Sequence, residues 1–190
     1  MYIYPKIKFG QKRQSKLVII DRDGCLNKLS TKNKYISRLS ELELYPDVNE
    51  FIERVLKNRW NLCVVSNQQC IGLNITSFSQ VISMHKKIFG LKRIYRNNIK
   101  LYLCPHIKNS CECRKPSPKM LIRALNDYGV SVKNAVFIGD NKTDCEAAKS
   151  IELGFIHLKR TDNEIKTVFT ADVEVSDLKN LINLLENRFS

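Results

Sequence analysis

The sequence predicts an α/β fold, an open and mainly parallel sheet with helices on both faces. Three observations predict it. Short uninterrupted apolar runs, among them Leu17–Ile20, Asn61–Ser66 and Ala135–Ile138, read as strands buried on both sides. Segments of helical period lie between them, the alternation expected of a parallel sheet covered by helices. Polar clusters also follow strand after strand, with Asp21, Ser66 and Asp140 each standing where a buried run ends. Ligands of open α/β sheets bind in the crevice beyond the carboxyl ends of the strands, so these clusters are expected to converge on one edge.

In chain order, Lys16–Ile20 is the first expected strand and ends at Asp21. Pro46–Asn58 carries apolar residues at Val48, Phe51, Ile52, Val55 and Leu56, a helical stripe with Pro46 near its start. Asn61–Ser66 is the second strand. Ser77 and Gln80 have capping-box spacing for a helix running to Phe89. Ile99–Cys104 is the third strand and leads into Cys104–Pro116, which reads CPHIKNSCECRKP. Ser117 and Pro118 are the expected N-cap and first residue of a helix through Tyr128, stopped by Gly129. A strand at Ala135–Ile138, a helix over Thr143–Ile151, a strand at Gly154–Leu158 and a capped helix from Ser176 complete one domain over residues 16–190. Residues 1–15 are set apart as a basic extension. Disorder is the default there, with an edge strand or a basic docking arm as alternatives.

A length of 190 residues suits one well-buried domain. No apolar run reaches membrane-spanning length, and the opening MYIYPKIKFGQKRQSK lacks the apolar segment of a signal peptide. The expectation is a cytoplasmic protein with reduced thiols. Seven cysteines, an odd count, fit a disulfide framework poorly. The net charge of +13 gathers in two stretches, Lys6, Lys8, Lys12, Arg13 and Lys16, then Lys86, Lys87, Lys92, Arg93, Arg96 and Lys100. Few aromatics interleave with them, so a stacking platform for single-stranded nucleic acid is not evident.

The polar clusters suggest chemistry. Asp21-Arg22-Asp23-Gly24 puts two carboxylates two residues apart at a strand end, with Gly24 permitting a sharp turn. One carboxylate of such a pair can attack phosphorus while the other donates a proton and later activates water. Asp140 and Asp144 form a second acidic pair, and Asp21 with Asp140 would make an oxygen site suited to Mg²⁺. Ser66 and Asn67 offer a hydroxyl and an amide to phosphate oxygens, and Lys115 supplies a balancing cation. Cys104, His106, Cys111 and Cys113 offer three thiolates and an imidazole, a closed tetrahedral set for structural Zn²⁺.

DRDG at Asp21–Gly24, SNQ at Ser66–Gln68, the lysine of CRKP and GDNKTD at Gly139–Asp144 resemble, in order, the four motifs of haloacid dehalogenase-like phosphatases. The Cys/His stretch resembles their capless, zinc-containing branch, whose members act on heptose bisphosphates or histidinol phosphate. The resemblance spans Leu17 to Leu158 and implies a Rossmann-like fold without a large cap, carrying a zinc-stabilised loop. It implies Asp21 as nucleophile, Asp23 as general acid/base, and Mg²⁺ held by Asp21, the Asp23 backbone carbonyl and Asp140, with Asp144 in support. It further implies that Ser66 and Lys115 hold the phosphoryl group and that Arg114 meets the substrate; the expected partner is a small phosphorylated molecule, and the expected state a monomer. Asn27, Tyr35-Ile36 and Pro118 resemble the heptose members, while Ile71-Gly72 resembles the histidinol-phosphate members. Leu73 stands where heptose members carry arginine, Asn141 where a basic residue is common, and Cys25 where threonine is usual. A sugar bisphosphate is the favoured substrate, and histidinol phosphate the alternative. A polynucleotide 3′-phosphatase ranks lower because that class, by resemblance, lacks the zinc cluster, and a non-catalytic, zinc-stabilised nucleic-acid-binding module ranks lower because clustered acids repel phosphate unless a metal intervenes.

Overall fold

The computed structural model describes residues 1–5, 15–30, 33–90, 99–161 and 169–189. Its strands are β1 (Tyr2–Tyr4), β2 (Leu17–Ile20), β3 (Asn61–Asn67), β4 (Lys100–Cys104), β5 (Ala135–Gly139), β6 (Gly154–Leu158) and β7 (Val173–Val175). Its helices are α1 (Val48–Lys57), α2 (Gln69–Gly72), α3 (Phe78–Ile88), α4 (Lys119–Tyr128), α5 (Lys142–Lys149) and α6 (Leu178–Phe189). The strands form one seven-stranded sheet in the order β1-β4-β3-β2-β5-β6-β7. Every pairing is parallel except that of β1 with β4.

Burial explains why the apolar runs are unbroken. Every residue of β2, β4 and β5 is buried, so both faces of each strand need a covering layer. Alternate side chains divide between two cores. Val18, Ile20, Val64 and Ile138 pack with α1, α3 and α6, including Phe51, Met84 and Leu181. Leu17, Ile19, Val65 and Phe137 face the other way, toward α4 and α5, including Met120, Leu125 and Ala148. The described residues between β2 and α1 hold isolated bridges of Asn27 with Asp23 and Leu44 and a 3₁₀ turn at Leu39–Glu41, so no cap domain occurs there among them.

The expected boundaries move slightly at the caps. Pro118 is the N-cap of α4 rather than its first residue, and Ser117 sits one position earlier, its hydroxyl accepting from Lys119 N at 3.4 Å. The last helix starts at Leu178, and its cap is Asp177 rather than Ser176, with Asn180 N donating to Asp177 Oδ1 at 2.6 Å. Ser77 caps α3 as expected, accepting from Gln80 N. The default of disorder near the N-terminus is corrected for Tyr2–Tyr4, which pair with Leu101–Leu103 as an antiparallel edge strand. The basic residues Lys6, Lys8, Lys12, Arg13, Lys92, Arg93 and Arg96 lie outside the described residues.

A buried ion pair ties the last helix to the first. Arg160 donates to both carboxylate oxygens of Asp47 at 2.7 and 2.9 Å, and Asp47 also accepts from Leu178 N at 2.8 Å. Arg160 reaches the carbonyl of Cys25 as well, at 3.0 Å, and so braces the loop after β2. No described helix is long and apolar enough to cross a membrane.

Candidate active site

The central strand β2 ends at Asp21, between β3 and β5, and the loops after these strands meet over an open cleft of about 610 Å³. Asp21, Asp23, Ser66 and Asn67 line it, as do Arg114, Lys115 and Asp140. The strand-end rule therefore gathers residues spread across more than half the chain. Gly24 makes the turn after Asp23 with φ 84°, a conformation that a side chain would resist. Asp144 is not in the lining. It is fully buried beneath the cleft, where its Oδ1 lies 2.7 Å from Lys115 Nζ.

Lys115 sits among acceptors. Its Nζ is 3.0 Å from Asp21 Oδ1 and donates to Val65 O at 3.0 Å. Burial disfavours its charge, but Asp144 and Asp21 outweigh that and raise its pKa. Asn67 fixes the lysine's backbone from across the cleft, donating from Nδ2 to Lys115 O and accepting from Lys115 N, both at 3.1 Å. Burial pushes the Asp21 carboxyl up to about 7, partly against the pull of Lys115. Arg22 N nevertheless donates to its Oδ1 at 2.7 Å.

Asp23 is held quite differently. Its Oδ1 accepts from Arg22 Nε, Arg22 Nη2 and Asn27 Nδ2 at 3.0, 2.8 and 3.0 Å. Its Oδ2 accepts from Gln68 Nε2 at 2.7 Å, and that same amide reaches Ser66 Oγ at 2.8 Å. Burial works to raise the Asp23 carboxyl, but the Arg22 guanidinium and the hydrogen bonds from Asn27, Arg22 and Gln68 hold it below the usual carboxylate range. Arg22, Asn27 and Gln68 stood in the sequence only as parts of the resemblance, with no role given, and they turn out to hold Asp23.

The donor sets fit the two metals expected. Oxygens of Asp21, Asp140 and Asp144 lie within 4.8 Å of one another, and Asp144 Oδ2 is buried without a hydrogen-bond partner. Three buried carboxylates around one lysine leave negative charge that a hard, oxygen-seeking dication would balance. The Asp23 carboxylate stands outside that cluster. In the second set, ligand atoms of Cys104, His106, Cys111 and Cys113 also lie within 4.8 Å of one another. Sγ of Cys111 is 3.4 Å from that of Cys104 and 3.7 Å from that of Cys113, while His106 Nδ1 is 3.6 and 3.4 Å from Cys104 and Cys113. A tetrahedron with Zn–S bonds of about 2.3 Å has edges near 3.8 Å, so these soft donors could hold a zinc ion with little movement. Cys104 is the last residue of β4, His106, Cys111 and Cys113 follow it, and Arg114 and Lys115 come next.

Comparisons with known proteins agree with this geometry. Residues 11–152 match the haloacid dehalogenase-like hydrolase family. The chain is 27% identical over 178 residues to the D-glycero-alpha-D-manno-heptose-1,7-bisphosphate 7-phosphatase of Campylobacter jejuni, covering 92% of this chain and 98% of that one. It is 32% identical over 154 residues to the D-glycero-beta-D-manno-heptose-1,7-bisphosphate 7-phosphatase of Pseudomonas aeruginosa, covering 80% and 85%. In fold it resembles the D,D-heptose 1,7-bisphosphate phosphatase of B. bronchiseptica complexed with magnesium and phosphate, with a TM-score of 0.78 at 22% identity over 90% of this chain and 98% of that one. The chain belongs to the haloacid dehalogenase-like hydrolases, and within them it is a phosphatase.

Proposed function

We propose that the protein is a Mg²⁺-dependent phosphomonoester hydrolase that removes the 7-phosphate of a D-glycero-D-manno-heptose 1,7-bisphosphate. The observation that carries the reading is the buried Asp21 carboxylate facing the cleft beside Lys115 and Asp140. The near full-length likeness to the C. jejuni enzyme supports the sugar. Arg114 and Lys34 add two cations to the cleft, and Arg114 Nη1 is buried without a hydrogen-bond partner, which suits a substrate with a second phosphate.

Asp21 attacks phosphorus through a carboxylate oxygen. The phosphorus–ester oxygen bond breaks, and the departing sugar oxygen takes a proton from Asp23, which is ionised in the free site and gains that proton from solvent as the substrate binds. Water then attacks the aspartyl-phosphate, Asp23 takes the water's proton, and phosphate leaves with Asp21 restored. Lys115, Ser66 and Asn67 hold the phosphoryl oxygens, while Gln68 and Asn27 aim Asp23. Asp21, Asp140 and the backbone carbonyl of Asp23 would hold Mg²⁺, with Asp144 in support, and the ion would neutralise charge between the carboxylate and phosphate. Cys104, His106, Cys111 and Cys113 would hold a structural Zn²⁺ that fixes the loop presenting Arg114 and Lys115.

Leu73, exposed at the end of α2, stands where the heptose members of the family carry arginine, and Ile71-Gly72 before it resemble the histidinol-phosphate members, which makes histidinol phosphate the second reading. The test is Mg²⁺-dependent phosphate release from both anomers of the heptose bisphosphate, from histidinol phosphate and from a 3′-phosphorylated oligonucleotide. Turnover of a heptose bisphosphate above the others is expected, and Asp21→Asn abolishes it. No release from any of them by the metal-loaded protein would overturn the reading, as would an active Asp21→Asn variant.

A further inference from the structure

Two adjacent glutamines open α2, and only Gln68 points toward the chemistry. Gln69 turns outward and joins two loops distant in sequence. Its Oε1 accepts from Lys108 N, in the Cys/His loop, at 3.1 Å. Its Nε2 donates to the hydroxyl of Tyr35, which lines the cleft. α2 itself is fastened to the Cys/His loop by backbone bonds, Gln68 N to Cys104 O at 2.7 Å and Gly72 N to Pro105 O at 2.9 Å. The approach is close enough that a Cβ on Gly72 would lie 2.6 Å from Pro105 O. Two residues after Tyr35 the same segment has a further tie, with Thr76 Oγ1 donating to Ser37 O.

We propose that Gln69 is a positioning residue for substrate binding, tying the cleft wall at Tyr35 to the Cys/His loop. The two arms of its amide are used in opposite senses, one accepting and one donating, so a single side chain sets the distance between the loops. The Cys/His loop thereby fixes two sides of the cleft. It presents Arg114 and Lys115 through its own backbone, and it places Tyr35 through Gln69. The catalytic atoms make no bond to Gln69, so the tie acts on substrate affinity rather than on the reacting centre. The affinity component rests on the phosphatase reading, whereas the mechanical component does not.

Hydrogen exchange and steady-state kinetics on the full, zinc-loaded chain test the tie. In Gln69→Ala and in Tyr35→Phe, amides of residues 33–37 exchange about threefold or more faster, while those of β2, β3 and β5 keep their protection. KM rises about three- to tenfold, as expected from losing a hydrogen bond or two, and kcat stays within about twofold. The double variant is no worse than Gln69→Ala alone, because both changes cut the same link. Gln69→Glu retains the wild-type behaviour, since a carboxylate can accept from both Lys108 N and the Tyr35 hydroxyl. Unchanged exchange at 33–37 in both single variants overturns the proposal, as does faster exchange spread over the whole sheet or loss of zinc from Gln69→Ala. If no heptose bisphosphate is turned over, the phosphatase reading fails while the exchange result still decides the tie.

Discussion

Replacing Lys115 with methionine removes the cation at the centre of the acidic cluster while keeping most of the side chain's volume. Lys115 is only 2% exposed, and its Nζ lies 3.0 Å from Asp21 Oδ1, 2.7 Å from Asp144 Oδ1 and 3.0 Å from Val65 O. The variant leaves buried Asp21, Asp140 and Asp144 facing one another without it. Removing one partner of a buried ion pair costs about 3–5 kcal/mol, because the surviving charge is left uncompensated. Here two carboxylates are stranded, but burial already pushes Asp21 up to about 7, and protonation relieves part of the penalty. A loss of about 4 kcal/mol in Mg²⁺-free buffer is therefore expected. With a urea m-value near 2 kcal/mol/M, the midpoint falls by about 2 M. Far-UV circular dichroism at pH 7 measures it. Adding Asp144→Asn to Lys115→Met recovers part of the loss, since one of the stranded charges is gone. A Lys115→Met midpoint within about 0.5 M of wild type would refute the reasoning, because the lysine would then not be neutralising buried charge.

Cys111→Ser lowers zinc from about one ion per chain to a small fraction of that, read by elemental mass spectrometry, since three donors hold the ion far less tightly than four. His85 provides a pH test. Burial pushes its imidazole down to about 4, against a hydrogen bond to Ile99 O that favours the charged form. The unfolded chain takes up a proton near pH 6.5 and the folded chain does not, so stability is full above that pH and falls as pH drops toward 4. Between pH 7 and pH 4.5 wild type should lose about 2–3 kcal/mol more than His85→Gln in denaturant titrations. Equal losses in the two proteins would show that His85 is accessible to protons in the folded state.

How far the sequence reveals the molecule depends on whether a feature is local. β2, β3, β4 and β5 are legible because both of their faces are covered, which forces unbroken apolar runs. β1 and β7 are three residues long and half-exposed or exposed, so YIY and VEV carry no such signature. Asp21, Asp23, Ser66 and Asp140 are legible because the chain must turn after a parallel strand and polar residues mark the turn. The state of each group is not legible. Asp144 is expected as the second acid of a pair with Asp140, but nothing in the sequence shows that it is fully buried and pairs with Lys115 from the loop after β4. Likewise Arg22 looks like a surface cation between two aspartates, but it is 1% exposed and clamps Asp23. Such pairings arise only when segments far apart in sequence are packed, and no local pattern records them.

The strand order also constrains how the protein is made. Leu17 of β2 pairs on one side with Asn61 and on the other with Ala135. A chain emerging from the ribosome therefore carries Asp21 long before the far side of that strand can be covered. The half containing β2, β3, β4 and the Cys/His loop can assemble first, with one open edge along β2. That edge is sealed only when β5 arrives, and β5 is the strand that brings Asp140. The cover for that edge and the acids Asp140 and Asp144 thus arrive on one stretch of chain, while the far edge of β5 still waits for β6 and β7.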